Sequence, residues 1–276
     1  MDQPAHSPSD LPGEWFARVA VPALFAPFAS DLVRAAAPRP GQRVLDVACG
    51  TGIVAENAAR RLGPGAAVAG IDLNQRRISA AQRRMQRSGI PVRFVHGVAE
   101  RLPFEPVSFD LVFCQFGLML FGDPLAALRE MKRVLTSDGR LLISVWDSID
   151  LHPLDKEIHE RSLERLGASG LEGVYSLGDE WLLRHLIARA GYEHVQIEKV
   201  AISVTFPDPG GYLDWQMQVD PEQSPVLRGL DAAERHAALS SLRSELEGVL
   251  KKYVRDGVLR LEFRALRVMC RLFAGT

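Results

Sequence analysis

At 276 residues, 47% hydrophobic and 24% charged, the chain holds enough apolar side chains for one large core, or a core with a small appended subdomain. A formal net charge of -1 and a pI near 6.7 give no electrostatic case for a nucleic-acid partner. The three cysteines, Cys49, Cys114 and Cys270, are far apart and set among apolar or small residues, so they read as reduced core cysteines; no disulfide and no metal centre is expected.

Met1 to Gly13 is rich in Pro, Ser and Asp and lacks a basic start followed by an apolar run, which argues against export and for a cytoplasmic protein. Gly13 to Ala37 carries Trp15, Phe16, Leu24, Phe25, Phe28, Leu32 and Val33, enough for two short helices broken near Pro22 and Pro27. Its most apolar part, Val19 to Ala29, falls short of the roughly 20 residues a membrane span needs. The short β-branched run Val44 to Val47 then reads as a buried strand, ending in the small-residue turn Ala48-Cys49-Gly50-Thr51-Gly52. A helix from Ile53 to Leu62 follows. Ala66 to Ile71 is a second strand, ending in Asp72, and Asn74 caps a helix with Ile78, Ala81 and Met85 inward and Arg76, Arg77, Arg83, Arg84 and Arg87 on a solvated face. Val92 to His96, Ser108 to Cys114 and Arg140 to Trp146 are further strands. Between the last two, Asp123-Pro124 starts a helix with Leu125, Leu128, Met131 and Leu135 on one face.

Strands alternating with helices imply an α/β fold with a doubly wound, mostly parallel sheet. Helices are expected at Leu154 to Leu166 and Asp179 to Ala190, and a strand from Val195 to Phe206 whose change of apolar parity predicts a bulge near Lys199. A mostly helical stretch from Pro207, with Leu239, Leu242, Leu246, Leu250 and Tyr253 on one stripe, precedes a closing strand, Val258 to Phe273, whose alternation slips near Leu266. Seven strands result. The expected division is a helical cap (1–40), a Rossmann-like core (41–206), a helical lid insertion (207–257) and a final core strand (258–276).

The turn itself admits two ligands. Gly50-Thr51-Gly52-Ile53-Val54-Ala55 fits the G-x-G-x-x-G/A pattern of dinucleotide sites, so an NAD(P)-dependent oxidoreductase is one reading. Asp46 argues the other way. A carboxylate at the strand end opposes a pyrophosphate, whereas S-adenosylmethionine brings an ammonium and a sulfonium. Asp72 stands 20 positions past Gly52, the spacing at which a second strand delivers a carboxylate to ribose hydroxyls.

Four ordered motifs carry a closer likeness: Val44 to Gly52, Gly70-Ile71-Asp72-Leu73-Asn74, Gly97 to Phe104, and Ser108-Phe109-Asp110-Leu111-Val112, completed by Leu125 to Leu135 and Asp138 to Leu142. Over roughly Gly41 to Trp146 the chain resembles the class I S-adenosylmethionine-dependent methyltransferases, especially the ubiquinone/menaquinone C-methyltransferase branch (type 11). The resemblance implies that Ala48, Gly50 and Gly52 hold the methionyl end by backbone contacts, with Asp46 near its ammonium. It implies that Asp72 accepts the ribose hydroxyls, Leu73 packs on the adenine, Val98 and Ala99 meet the adenine edge, and Gln115 sits near the methionyl group and the transferring methyl. Ala48 replaces the first glycine of the usual motif, and Val98 stands where the family often has an Asp.

Methyl transfer is an in-line displacement, for which a base is optional. His152 and Asp147, just after the fifth strand, are the candidate bases, whereas His96 reads as a strand cap and His159 and His185 as helix residues. The early helices, Phe116 to Phe121 and the insertion with Tyr212, Trp215 and Met217 offer an apolar, aromatic lining for a small-molecule acceptor. Arsenite is disfavoured by the scattered cysteines. A non-catalytic S-adenosylmethionine-binding protein is the remaining alternative, and the oligomeric state is not fixed by the sequence.

Overall fold

The computed structural model describes residues 15–272, so the expectations for Met1 to Gly13 and for Phe273 lie outside the described residues. The first elements are a π-wound helix, α1 (Phe16–Phe25), and α2 (Ala26–Ala36). They join without the breaks expected at Pro22 and Pro27. Pro22 lacks an N–H and its ring crowds the carbonyl four residues back; the wide winding of α1 accommodates both, while Pro27 falls in the first turn of α2, where no N–H is needed. The joined helix Phe16–Ala36 is therefore long and apolar enough, by length and composition, to cross a membrane, which corrects the expectation that this segment is too short. Within α2, Ala29, Leu32, Val33 and Ala36 belong to the main core, and the buried helices of soluble proteins pass the same test.

The chain then alternates: β1 (Arg43–Val47), α3 (Ile53–Leu62), β2 (Ala67–Asp72), α4 (Gln75–Ser88), β3 (Arg93–His96), β4 (Phe109–Gln115), α5 (Pro124–Val134) and β5 (Leu135–Trp146). Two of the helices start on a side-chain cap within this stretch. Asn74 accepts from the Arg76 and Arg77 N–H groups at 2.9 and 3.2 Å to start α4, and Asp123 accepts from Ala126 N at 2.9 Å to start α5. Leu135, expected on the helix face, takes extended backbone and opens β5, pairing with Phe109. β1 pairs in parallel with β2 and β4, β2 with β3, and β4 with β5. Val44, Leu111, Phe113 and Leu142 meet α2 and α3 through Ala29, Leu32, Val54 and Ala58 in the main core.

The remaining elements are α6 (Pro153–Leu166), α7 (Glu180–Arg189), β6 (Glu193–Phe206), α8 (Pro209–Gln216), α9 (Ala232–Leu250), β7 (Val254–Arg255) and β8 (Val258–Arg271). Among the described residues the strand order is β3-β2-β1-β4-β5-β8-β6, with the short β7 folded antiparallel onto β8 as an eighth strand the sequence did not announce. β8 runs antiparallel to β5, from Arg140↔Arg271 to Trp146↔Ala265. Both parity changes occur where expected. In β6 Glu198 and Lys199 are both exposed, and in β8 Ala265 and Leu266 are both buried.

The chain divides into two compact units. One takes in residues 25–148, 174–200 and 264–272, and so holds β1 to β5 with α2 to α5 and α7. The other takes in 15–24, 149–173 and 201–263; in it Trp15 stacks on Phe206 and lies tilted against Trp215, and the buried Tyr212 hydroxyl donates to Asp155. Residues 149–173 thus group with 201–263, and β6 and β8 each contribute residues to both units.

Candidate functional site at the strand ends

The turn after β1 is tied to the end of β2. Cys49 N donates to Ile71 O at 3.0 Å, Gly50 N to Asp72 Oδ2 at 2.8 Å, and Gly52 N to Cys49 O at 2.8 Å. Gly52 has φ +82 and a Cβ there would lie 3.0 Å from the Phe94 ring, so glycine serves both backbone and space. Ala48 adopts φ +56, a left-handed conformation that strains an L side chain. Asp72 is the hub of this arrangement: its Oδ1 accepts from Asn74 N at 2.8 Å, and its carbonyl accepts from Gly97 N at 3.1 Å, which fixes the end of β3.

Asp46 lies beneath the turn, 1% exposed, and accepts from Ala55 N in the first turn of α3 at 3.0 Å. Burial pushes its carboxyl up to about 8; the Ala55 N–H pulls the other way, and the charge of Asp72 adds to the rise. For both Asp46 and Asp72 the hydrogen-bond partners among the described residues are backbone N–H groups, and neither forms an ion pair. Burial likewise pushes the Cys114 and Cys270 thiols up to about 12 and Cys49 well above its ordinary range, which makes them inert core thiols.

Around this cradle Leu73 is 67% exposed beside Asp72, Val98 is half-buried and Ala99 buried after β3. The loop they begin is clamped by two residues of α5 that belong to no motif of the site. Arg133 donates to Phe104 O at 2.8 Å and Leu102 O at 2.9 Å, and Glu130 Oε2 accepts from Leu102 N at 2.8 Å. Their i, i+3 spacing on α5 was the available signal. The Arg133 guanidinium holds the Glu130 carboxyl below its usual range.

Gln115, at the end of β4, is buried, and its Nε2 donates to Phe25 O at 2.9 Å. Four rings gather beside it. Phe116 and Trp146 stack at 3.7 Å, and Phe25 and Phe28 meet that pair edge-on at 5.3–6.3 Å. Gly117 brings the β4 end against the β1 turn, for a Cβ there would lie 2.6 Å from Ala48 Cβ.

The two candidate bases fall in different compact units. Asp147 is buried after β5; Oδ1 accepts from Ser148 N at 2.8 Å and Oδ2 has no partner among the described residues. His152 is buried at the start of α6, its ring 5.8 Å from Phe263. His96 bonds Leu73 O at 2.8 Å, as a strand cap does, and His185 stacks on the exposed Trp181.

Residues 44–139 match the Methyltransferase domain family. The chain is 31% identical over 179 residues to the ubiquinone/menaquinone biosynthesis C-methyltransferase UbiE of Shewanella frigidimarina, covering 59% of this chain and 71% of that relative. It is 33% identical over 172 residues to UbiE of Yersinia pestis, covering 57% and 68%. The chain therefore belongs to the class I S-adenosylmethionine-dependent methyltransferases, and its cofactor is S-adenosylmethionine. Among solved structures it is similar to the YcgJ protein of Bacillus subtilis (TM-score 0.59, 21% identity, 90% of this chain and 99% of that one). It is also similar to Haemonchus contortus phosphoethanolamine N-methyltransferase 2 in complex with phosphomonomethylethanolamine and S-adenosylhomocysteine (TM-score 0.54, 19% identity, 90% and 53%). At these identities the likeness is one of fold. Neither the oxidoreductase nor the non-catalytic reading finds support in these relatives.

Proposed function

We propose that this methyltransferase moves a methyl group by in-line displacement to a small, partly apolar or aromatic acceptor. The observation that carries the acceptor class is the four-ring cluster of Phe25, Phe28, Phe116 and Trp146 at the carboxyl ends of β4 and β5, where ligands of doubly wound sheets gather. The residues of the cradle fit the cofactor, since two buried carboxylates with only backbone partners suit a ligand that is cationic and carries hydroxyls.

When bound, S-adenosylmethionine supplies an electrophilic methyl group on sulfur. In our assignment Asp46 faces the ammonium, the turn through Ala48, Gly50 and Gly52 holds the methionyl end, and Asp72 accepts from the ribose hydroxyls. Leu73 covers the adenine, Val98 and Ala99 meet its edge, and Gln115 stands by the methionyl group and the transferring methyl. The rings exclude water and orient the nucleophile, a contribution that reaches several kcal/mol when the reacting atoms are held in line. Asp147 takes the proton where the acceptor must lose one.

Incubation with tritiated S-adenosylmethionine and a panel of phenols, aromatic amines and quinone precursors tests the reading; the UbiE relatives are the reason for including the last class. Labelled product from a small aromatic acceptor is expected. Label appearing only on protein or nucleic acid overturns it.

A further inference from the structure

Gln115 is fixed in one orientation. Only the NH2 side of an amide can donate to the Phe25 carbonyl, so Oε1 is left as a hydrogen-bond acceptor on the other branch. That oxygen is buried and finds no donor among the described residues. Its chain neighbour Phe116 has φ +53, a left-handed conformation unusual for a bulky residue, and stacks on Trp146 with the Phe25 and Phe28 rings around the pair. An unpaired buried acceptor is costly, and backbone strain beside it marks places where a ligand completes the structure.

We infer that Gln115 Oε1 accepts a hydrogen bond from the methyl-accepting substrate, which is therefore a flat aromatic or apolar molecule bearing an O–H or N–H at the methylated atom. This rests on the reading of transfer to a small acceptor given above. In the reaction an oxygen–carbon or nitrogen–carbon bond forms and the sulfur–carbon bond breaks, its electron pair going to sulfur; the O–H or N–H proton goes to a base or solvent. For a phenol, methylation removes the donor, so product is held less well than substrate. Gln115 thereby discriminates between the two.

Calorimetry on the full chain saturated with S-adenosylhomocysteine, where no transfer occurs, tests this with four probes: 2-naphthol, 1-naphthylamine and their capped counterparts 2-methoxynaphthalene and N,N-dimethyl-1-naphthylamine. The capped member of each pair is expected to bind about tenfold more weakly. In Gln115→Met and Gln115→Leu, saturated with S-adenosylhomocysteine and shown to be folded by a urea midpoint near that of the wild type, that difference disappears. Equal binding within the wild-type pairs, no binding of any probe, or persistence of the difference in both variants overturns the inference. So does loss of S-adenosylhomocysteine binding in both variants, which would assign the oxygen to the cofactor or to folding. Discrimination by the wild type without any methyl transfer across the earlier panel would instead overturn the reading of transfer and leave the hydrogen bond standing.

Discussion

Asp46 is buried with no cationic side chain paired to it among the described residues, and that sets its behaviour before ligand arrives. Its ordinary carboxyl titrates at 3.8, whereas in the fold it is pushed up to about 8. Between those values the folded state holds a proton that the unfolded chain has released, so the stability of the ligand-free protein falls as pH rises from about 4 to about 8. Asp46→Asn keeps an oxygen for the Ala55 N–H but cannot ionise. Urea midpoints at pH 5 and pH 8 are expected to lie closer together in the variant; an unchanged pH slope would show that Asp46 ionises as an exposed acid does. At Val98 the expected change is in affinity. A carboxylate there restores one bond to the adenine amino group, so Val98→Asp tightens cofactor binding by about 1 kcal/mol, and unchanged or weaker binding in a titration contradicts the adenine-edge assignment. The cradle was readable because Asp46, Gly50, Gly52 and Asp72 act within one strand–turn–helix–strand unit. The Gln115 anchor was not, since Phe25 lies 90 positions away and donates nothing to a local pattern.

At the scale of elements, the cradle depends on close approach between strand ends. Gly117→Ala would press a Cβ to 2.6 Å from Ala48 Cβ, forcing the end of β4 away from the β1 turn. A loss of about 1–3 kcal/mol in stability is expected, with weaker cofactor binding; wild-type urea and binding curves would contradict the packing described. Removing the clamp on the 98–104 loop acts differently. Arg133→Ala breaks its bonds to Leu102 and Phe104 carbonyls at a half-exposed site, so a modest loss of about 1–2 kcal/mol is expected, accompanied by a raised dissociation constant for S-adenosylhomocysteine. Both strand parity slips were legible, because burial alternates with period two and Glu198–Lys199 and Ala265–Leu266 break that count. The start of β5 was not. Leu135 continues the apolar spacing of α5, and only its pairing with Phe109 shows that the helix has ended. Pro22 misled in the opposite direction, since wide winding carries the helix past it.

For the whole molecule, chain order and compactness part company: the second unit collects residues 15–24, 149–173 and 201–263, a grouping that no linear reading of composition marks. The fold also leaves chemistry open. One fold serves many reactions, so the assignment to methyl transfer rests on the sequence relatives, and the assignment of the site on the carboxylates at the strand ends. Those carboxylates supply the most direct test. Binding of S-adenosylmethionine at pH 7 is to be measured by calorimetry in two buffers of different ionisation enthalpy, for the wild type and Asp46→Asn. A cation placed against Asp46 drives off the proton that burial holds there, so the wild type is expected to release about one proton on binding and Asp46→Asn to release none while binding more weakly. Binding without proton release, or proton release that survives in Asp46→Asn, would contradict the placement of the ammonium at Asp46.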